Sequence, residues 1–253
     1  MPHPEAYLAS ATCVATFNID KQIRYRVADI ENAFRSTVVS QAVGTNVADN
    51  APPNIPRFTL QSGQKVISVS QVQCQMDMNF AEQRKTFDQV GAVVRKNFAG
   101  FWAGVRKLKS LEEVRDVGLV LSFNVSSKKP IPELSEELYS RYLNIPSLGN
   151  VASVGFQTGF TSLDGNIFIN LSVGTYEVRE AHLENSMHDG GQIFLALDQM
   201  RVSESGVEVK WDVNSKPLVS QGEITPEDID DVLFKSLNQM LEEHNGDFFS
   251  WIE

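Results

Sequence analysis

The sequence predicts an α+β protein in which a pseudo-duplicated antiparallel sheet carries two long helices packed on one side. Three observations lead to this prediction: strand-like segments of apolar residues, two long segments with apolar residues at helical spacing, and an element order that recurs in the two halves. The chain has 253 residues, of which 42% are hydrophobic and 21% charged, as is typical of globular proteins. We expect a single α+β domain over residues 1–253, with similar halves at 1–110 and 111–253.

The first half is predicted to run strand, helix, two strands and long helix. Residues 12–19 are apolar and favour a strand, and residues 27–40 place apolar side chains at helical spacing. Residues 43–56 are rich in Pro and Asn and predict a loop. After a hairpin turn at Ser62-Gly63, strict alternation over 72–80 predicts a strand with one buried and one wet face. A long amphipathic helix is predicted over 84–108, with the apolar stripe Phe87, Val90, Val94, Phe98, Phe101, Val105 and Leu108.

The second half is predicted to run strand, short helix, four strands and long helix. The predicted segments are 114–125, 132–143, 151–161, 166–179, 192–202, 206–213 and a last helix that begins near Thr225. An Asp-Gly turn falls at 163–166, and a second turn is predicted at 203–206. Segments 192–202 and 206–213 should therefore form a hairpin. This order suits an antiparallel sheet with helices on one side.

The net charge and the cysteines indicate which partners the protein can bind and in which compartment it is expected. The formal net charge is −10, and an acidic surface repels phosphate, which argues against nucleic acid as a partner. The first residues lack the pattern of a signal peptide, and no apolar run is long enough to span a membrane. Cys13 and Cys74 both lie in apolar strand-like segments and are interpreted as buried strand residues. We expect a cytoplasmic protein with no membrane contact.

The sharpest chemical pattern is Asp198 followed by Glu208 and Lys210. Metal-dependent nucleases use such a layout, in which carboxylates hold Mg²⁺ and a lysine polarises the attacking water. The predicted hairpin, however, places Asp198 opposite Asp212 and about 13 Å from Glu208, which is too far for one ion to bridge. We therefore interpret the three residues as charges on a wet strand face, and keep a Mg²⁺-dependent nuclease as the alternative.

A second polar group lies in residues 176–192 and includes His182, His188 and Asp189. These side chains are candidates for a metal site, but their spacing matches no zinc signature. A polar loop between two strands is the simpler interpretation. No phosphate-binding glycine motif or nucleophile elbow is present, so we expect no cofactor and assign no catalytic residue.

Several segments resemble a sporadically distributed bacterial family of about this length that has no assigned function. The resemblance rests on "PRFTLQSGQKVISVSQVQCQMDMNF", the long helix after it and "DVGLVLSFN", which stands where the family has a strand like "RIGLRYIN". "IFLALDQMRV" is similar to the family's late "LDID" strand, and "LEEHNGDFFSWI" to its closing helix. The resemblance implies an accessory bacterial protein and carries over no catalytic residue.

These observations together favour a non-enzymatic binding or regulatory protein that acts through protein–protein contacts. The sequence predicts several strands with one buried and one solvent-exposed face, whereas no group of polar side chains is predicted to converge on a common site. We also expect a homodimer, because strand 72–80 and the strands of the second half offer wide sheet surface, and exposed sheet edges are usually covered.

Overall fold

The computed structural model describes residues 6–48, 50–143, 146, 149–161, 167–180, 200–215 and 233–235. The strands in these residues are β1 (Tyr7–Phe17), β2 (Val43–Gly44), β3 (Phe58–Ser62), β4 (Lys65–Val69), β5 (Gln73–Asn79), β6 (Val114–Ser127), β7 (Gly155–Thr161), β8 (Phe168–Glu180) and β9 (Arg201–Asn214). The α-helices are α1 (Val27–Phe34), α2 (Phe87–Leu108) and α3 (Ile131–Tyr142), and residues 233–235 are also helical. The protein is therefore mixed α+β, as predicted.

All nine strands of the described residues belong to one sheet, in the order β2-β3-β4-β5-β1-β6-β9-β8-β7. Every neighbouring pair is antiparallel. The first strand of each half, β1 and β6, lie side by side in the middle of the sheet. The remaining strands of each half extend outward from them, so the edges of the sheet are β2 and β7.

Between residues 57 and 80 the structure has three strands where the sequence predicts two. The chain turns at residues 70–72, and β4 pairs with β5 across this turn. The Ser70 hydroxyl oxygen accepts hydrogen bonds from the backbone N–H of Val72 and Gln73 at 3.2 and 3.1 Å. A serine side chain can stabilise a turn in this way without Gly or Pro. The alternation predicted for β5 is confirmed, because Cys74, Met76 and Met78 are buried.

The predicted turn at 203–206 is wrong, because β9 continues through it without a break. Residues 205–214 of β9 pair with β6 on one side and with β8 on the other. Both edges of this segment are therefore occupied, and it cannot also pair with residues 192–202 as a hairpin. The predicted Asp-Gly turn at 163–166 lies outside the described residues, but β7 and β8 are antiparallel neighbours.

The core lies between the sheet and α2. The predicted stripe of α2 is confirmed, since six of its seven members are buried and Phe87 is half-buried. Helix α1 ends at Phe34 instead of extending to residue 40 and packs on α2, with the rings of Phe34 and Phe101 6.0 Å apart. A Cβ atom at Gly104 would lie 2.5 Å from the Phe34 ring. This glycine therefore permits close approach of α1 to α2.

A buried lysine joins the C-terminal end of α2 to the sheet. Lys109 is only 5% exposed, and its Nζ lies 2.6 Å from Asp20 Oδ2 and 5.0 Å from the centre of the Phe17 ring. Burial alone would raise the pKa of Asp20, but the hydrogen bond and charge of Lys109 outweigh burial and lower it. Lys109, which directly follows α2, thus differs from Lys96 and Lys107 of that helix, which are exposed.

The predicted loop over 43–56 contains the two-residue strand β2 and is otherwise irregular. The buried Arg57 donates hydrogen bonds to the backbone carbonyls of Ala51, Pro52 and Ile55 at 3.1–3.4 Å. One guanidinium group thereby holds the end of this segment against β3. Within the residues that the structure describes, no helix is both long and apolar enough to cross a membrane.

Candidate functional site

The sheet has two chemically different faces because its strands alternate in polarity. The face toward α2 is apolar, whereas the face turned away from α2 carries polar side chains. We call this second surface the open face and define it by Thr12, Thr16, Gln73, Gln75, Asp77, Asp116, Ser122, Asn170, Ser172, Glu208, Lys210 and Asp212. Except for the buried Ser122 and the exposed Lys210, these residues are half-buried.

Two carboxylates on the first half of the open face are held by their neighbours. Asp77 Oδ1 accepts a hydrogen bond from the Thr12 hydroxyl at 2.8 Å, and both Asp77 oxygens accept from the Gln75 amide at 2.9–3.0 Å. Asp116 accepts from the Thr16 hydroxyl at 2.6 Å. Hydrogen bonds of this kind fix the direction in which each carboxylate points.

The second half of the open face repeats this arrangement. Asp212 accepts hydrogen bonds from the side-chain amides of Asn170 and Asn214 at 3.2 and 3.4 Å. Glu208 accepts from the Ser122 hydroxyl at 2.7 Å, and its other oxygen lies 2.8 Å from Lys210 Nζ. Four ordered carboxylates thus share this surface with a single lysine, which makes the open face acidic.

Glu208 and Lys210 also line a shallow cleft of about 370 Å³ beside β7. Its lining residues are Gly155, Phe156, Gln157, Ser172, Val173, Gly174, Glu208 and Lys210. Strand alternation correctly predicts that Glu208 and Lys210 share a face, and the structure brings them into contact. The cleft is a concave part of the open face that could receive a protruding side chain.

The third residue of the nuclease pattern, Asp198, lies outside the described residues. The hairpin register that separates it from Glu208 is wrong, since Asp212 lies between Val120 of β6 and Asn170 of β8. The predicted distance of about 13 Å therefore no longer argues against the alternative.

The weak metal candidates His182, His188 and Asp189 also lie outside the described residues. In the part of the chain that is described, no group of three or more His, Cys, Asp or Glu side chains is arranged to hold a metal ion. Cys13 and Cys74 are fully buried and free, as predicted. Burial raises the pKa of both thiols, that of Cys74 to about 12. Neither thiol is suited to act as a nucleophile.

At one end of the open face, several side chains converge on the carboxylate of Glu204. Glu204 accepts hydrogen bonds from the hydroxyls of Tyr7 and Ser126, each at 2.7 Å, and from the Tyr176 hydroxyl. The guanidinium of Arg84 pairs with the other carboxylate oxygen and lies 5.6 Å from the centre of the Tyr7 ring. We call these five residues the Glu204 cluster.

The Glu204 cluster draws its residues from distant parts of the chain. Tyr7 belongs to β1, Ser126 to β6, Tyr176 to β8 and Glu204 to β9, whereas Arg84 precedes α2. Arg84 has a φ of +47° and is the one non-glycine residue with positive φ among the described residues. A side chain other than Asn or Asp is seldom held in this left-handed region. The cluster therefore ties the segment before α2 to the second half of the sheet.

The pKa values of the Glu204 cluster follow from its hydrogen bonds. Burial opposes ionisation of Glu204, but hydrogen bonds from Tyr176, Tyr7 and Ser126 and the charge of Arg84 outweigh it, so the pKa is lowered. Burial, followed by the hydrogen bond to Glu204, raises the pKa of both tyrosines. The charged carboxylate and the neutral hydroxyls thus stabilise one another.

Gly206 makes room for this cluster. A Cβ atom at this position would lie 2.0 Å from the backbone carbonyl oxygen of Val125 and 2.9 Å from the Tyr176 ring. Glycine inside a strand often marks such a close approach. The sequence predicts a turn at this glycine, and it carries no signal that would pair Glu204 with Tyr7, 197 residues away.

No protein family model matches the chain, and no curated protein matches it. The resemblance to the bacterial family stays a prediction.

Proposed function

We propose that this chain is a non-enzymatic binding or regulatory protein that acts through protein–protein contacts, and that the open face is its contact surface. The observation that carries this proposal is the set of four ordered carboxylates on the open face: Asp77, Asp116, Glu208 and Asp212. Side chains that are already held in place lose little conformational entropy when a partner binds. Such a surface favours binding over a role in packing alone.

The charge of the open face indicates the chemistry of the partner. Among the residues that define the open face, Lys210 is the one cation, against four carboxylates. Charge complementarity favours a protein with lysine and arginine on its contact surface, and it speeds the encounter of the two proteins. The same charge disfavours nucleic acid.

Further parts of this proposal concern origin, location and assembly. The sheet order supports an internal duplication, because the other strands of each half follow outward in reverse chain order, β5 to β2 from β1 and β9 to β7 from β6. The family resemblance supports an accessory role in bacteria, and the free cysteines suit a reducing cytoplasm. A homodimer is also part of the proposal. The expectation that strand 72–80 offers an exposed sheet edge is wrong, since β5 is paired on both sides.

Paired substitutions on the open face test the proposal. Wild-type protein is immobilised and exposed to a lysate of the source organism beside the double variant Asp77→Asn, Asp212→Asn. A control double variant, Glu133→Gln and Glu136→Gln, removes the same charge from the exposed side of α3. We expect a protein from the lysate to bind the wild type and the control variant but not the open-face variant. Equal retention on all three would contradict the proposal.

A Mg²⁺-dependent nuclease remains the second candidate, and one observation favours it. Glu208 and Lys210 are in contact and line the same cleft, which is an arrangement that an Asp...Glu-x-Lys site requires. In that function, Asp198 and Glu208 would hold the ion and Lys210 would orient the attacking water. Cleavage of DNA or RNA with added Mg²⁺, abolished by Lys210→Ala, would replace the binding proposal with this one.

A further inference from the structure

Within the part of the chain that the structure describes, strand β7 is an exposed sheet edge without the usual protection. Its sequence is GFQTGFT, and among the described strands it pairs with β8 alone. All of its residues except Phe156 are exposed. Natural proteins usually protect such edges with charged side chains, Pro, bulges or a covering segment. This strand contains no charged residue and no Pro.

The order of residues in β7 is complementary to itself. In an antiparallel pair centred on Thr158, that residue would face Thr158 of the other strand, and Phe156 would face Phe160. The two phenylalanines lie on one face of the sheet because they are four residues apart. We propose that a second copy of this chain pairs with β7 in this register, so that the two sheets become one continuous sheet.

Backbone and aromatic contacts would both stabilise this pairing. A seven-residue antiparallel pair forms about six to eight backbone hydrogen bonds. Phe160 is 46% exposed, and the new strand would cover it with Phe156 of the copy. Phe156 already contacts Tyr142 of α3, with ring centroids 5.3 Å apart. Each aromatic cross-strand pair would therefore extend an existing aromatic contact, and such pairs stabilise sheets.

A second copy fits this edge better than an unrelated peptide does. Two-fold symmetry brings the same patch of both subunits together, and the spacing of Phe156 and Phe160 about Thr158 satisfies that symmetry. No charge on β7 would repel its copy. The opposite edge, β2, has only two residues. This inference rests on the homodimer of the proposed function and names its contact surface. A monomeric wild type would end both, whereas a dimer that is unchanged by substitutions in β7 would end this inference alone.

Charge exchange at Thr158 tests the proposal. Thr158→Lys and Thr158→Glu each place like charges opposite one another across the pair. The dissociation constant of the dimer, measured by sedimentation, should therefore be at least about tenfold higher than in the wild type. An equimolar mixture of the two variants should form a dimer again, because Lys then faces Glu. The control Val43→Lys changes an exposed residue of β2 and should leave the dimer intact. Circular dichroism checks that each variant is folded.

Cross-linking provides a second measurement. Thr158→Cys should give a disulfide-linked dimer under mild oxidation, whereas Val43→Cys should not. Cys13 and Cys74 are buried and do not compete. The proposal is overturned if wild-type protein keeps the 28.2 kDa mass of one chain across micromolar concentrations. It is equally overturned if a dimer persists unchanged in both charged variants, or if a monomer pairs through β7 with a foreign peptide only.

Discussion

Replacing Glu204 with glutamine should destabilise the fold through loss of charge alone. Glutamine has nearly the shape of glutamate, so the strand and its packing are kept. The wild-type carboxylate receives hydrogen bonds from three hydroxyls and an ion pair from Arg84. Its side chain is 10% exposed, so solvent replaces these partners only in part.

The magnitude follows from the number and type of these contacts. A hydrogen bond to a charged group contributes about 1.5–3 kcal/mol, against about 0.5–1.5 kcal/mol for a neutral pair. With glutamine as the acceptor, each of the three hydrogen bonds from the hydroxyls therefore stabilises the fold by about 1 kcal/mol less. New hydrogen bonds of the glutamine amide recover part of this loss. Arg84 is 61% exposed and adds less than about 1 kcal/mol. We expect Glu204→Gln to lower the free energy of unfolding by about 2–3 kcal/mol at neutral pH.

This loss should depend on pH in a defined direction. The pKa of Glu204 is lowered in the folded protein, so its charge stabilises the fold above the unfolded pKa of about 4.3. That stabilisation disappears as the pH falls through the folded pKa. Urea unfolding followed by tryptophan fluorescence should therefore show the full difference from wild type near neutral pH and a shrinking difference below about pH 4.

Glu208→Gln is the matched control, because it removes the same charge from an ion pair that is partly exposed. Its side chain is 32% exposed, contacts Lys210 and accepts one hydroxyl hydrogen bond, from Ser122, so we expect a loss of only about 1 kcal/mol. A loss below about 0.5 kcal/mol for Glu204→Gln, or one that does not change with pH, would refute the reasoning about charge.

Three further predictions concern the core, the cleft and the thiols. Phe98→Ala should lower the free energy of unfolding by about 3–5 kcal/mol in urea titration, because Phe98 is fully buried against Phe234. The control is Val93→Ala, which changes an exposed residue of the same helix. A loss below about 1 kcal/mol for Phe98→Ala would show that the wrong face was assigned. Lys210→Ala should change stability by less than about 1 kcal/mol, because its ion pair with Glu208 is partly exposed, and a larger loss would contradict this. A thiol reagent should label Cys13 and Cys74 only after denaturation, whereas rapid labelling of native protein would show that they are accessible.

Local patterns in the sequence predicted the elements of the fold better than the turns between strands. Alternation identified β5, and helical spacing identified α2 with its buried stripe. The turn at Ser70 was missed because a serine hydroxyl stabilises it in place of Gly or Pro. At Gly206 the opposite error occurred, because the glycine allows close approach of Tyr176 inside a continuous strand. Both errors arise because a residue type does not fix the local structure: serine can stabilise a turn, and glycine can lie inside a strand.

The candidate surfaces were predictable to different degrees. The open face follows from alternation, which placed Glu208 and Lys210 on one side of their strand. The Glu204 cluster could not be predicted, since it joins Tyr7 to Glu204 across almost the whole chain. Its formation depends on strand order, which local periodicity does not encode. The self-complementary edge of β7 is visible in the sequence, but only the sheet order shows that this strand is an edge.

Carboxylate footprinting tests the proposed role of the open face most directly. The captured partner is added to the protein, and carbodiimide labelling of each carboxylate is measured by mass spectrometry with and without it. We expect the partner to protect Asp77 and Asp212, while Glu133 and Glu136 of α3 are labelled equally in both states. Protection of the α3 carboxylates, with Asp77 and Asp212 labelled as in the free protein, would contradict the proposal that the open face binds the partner.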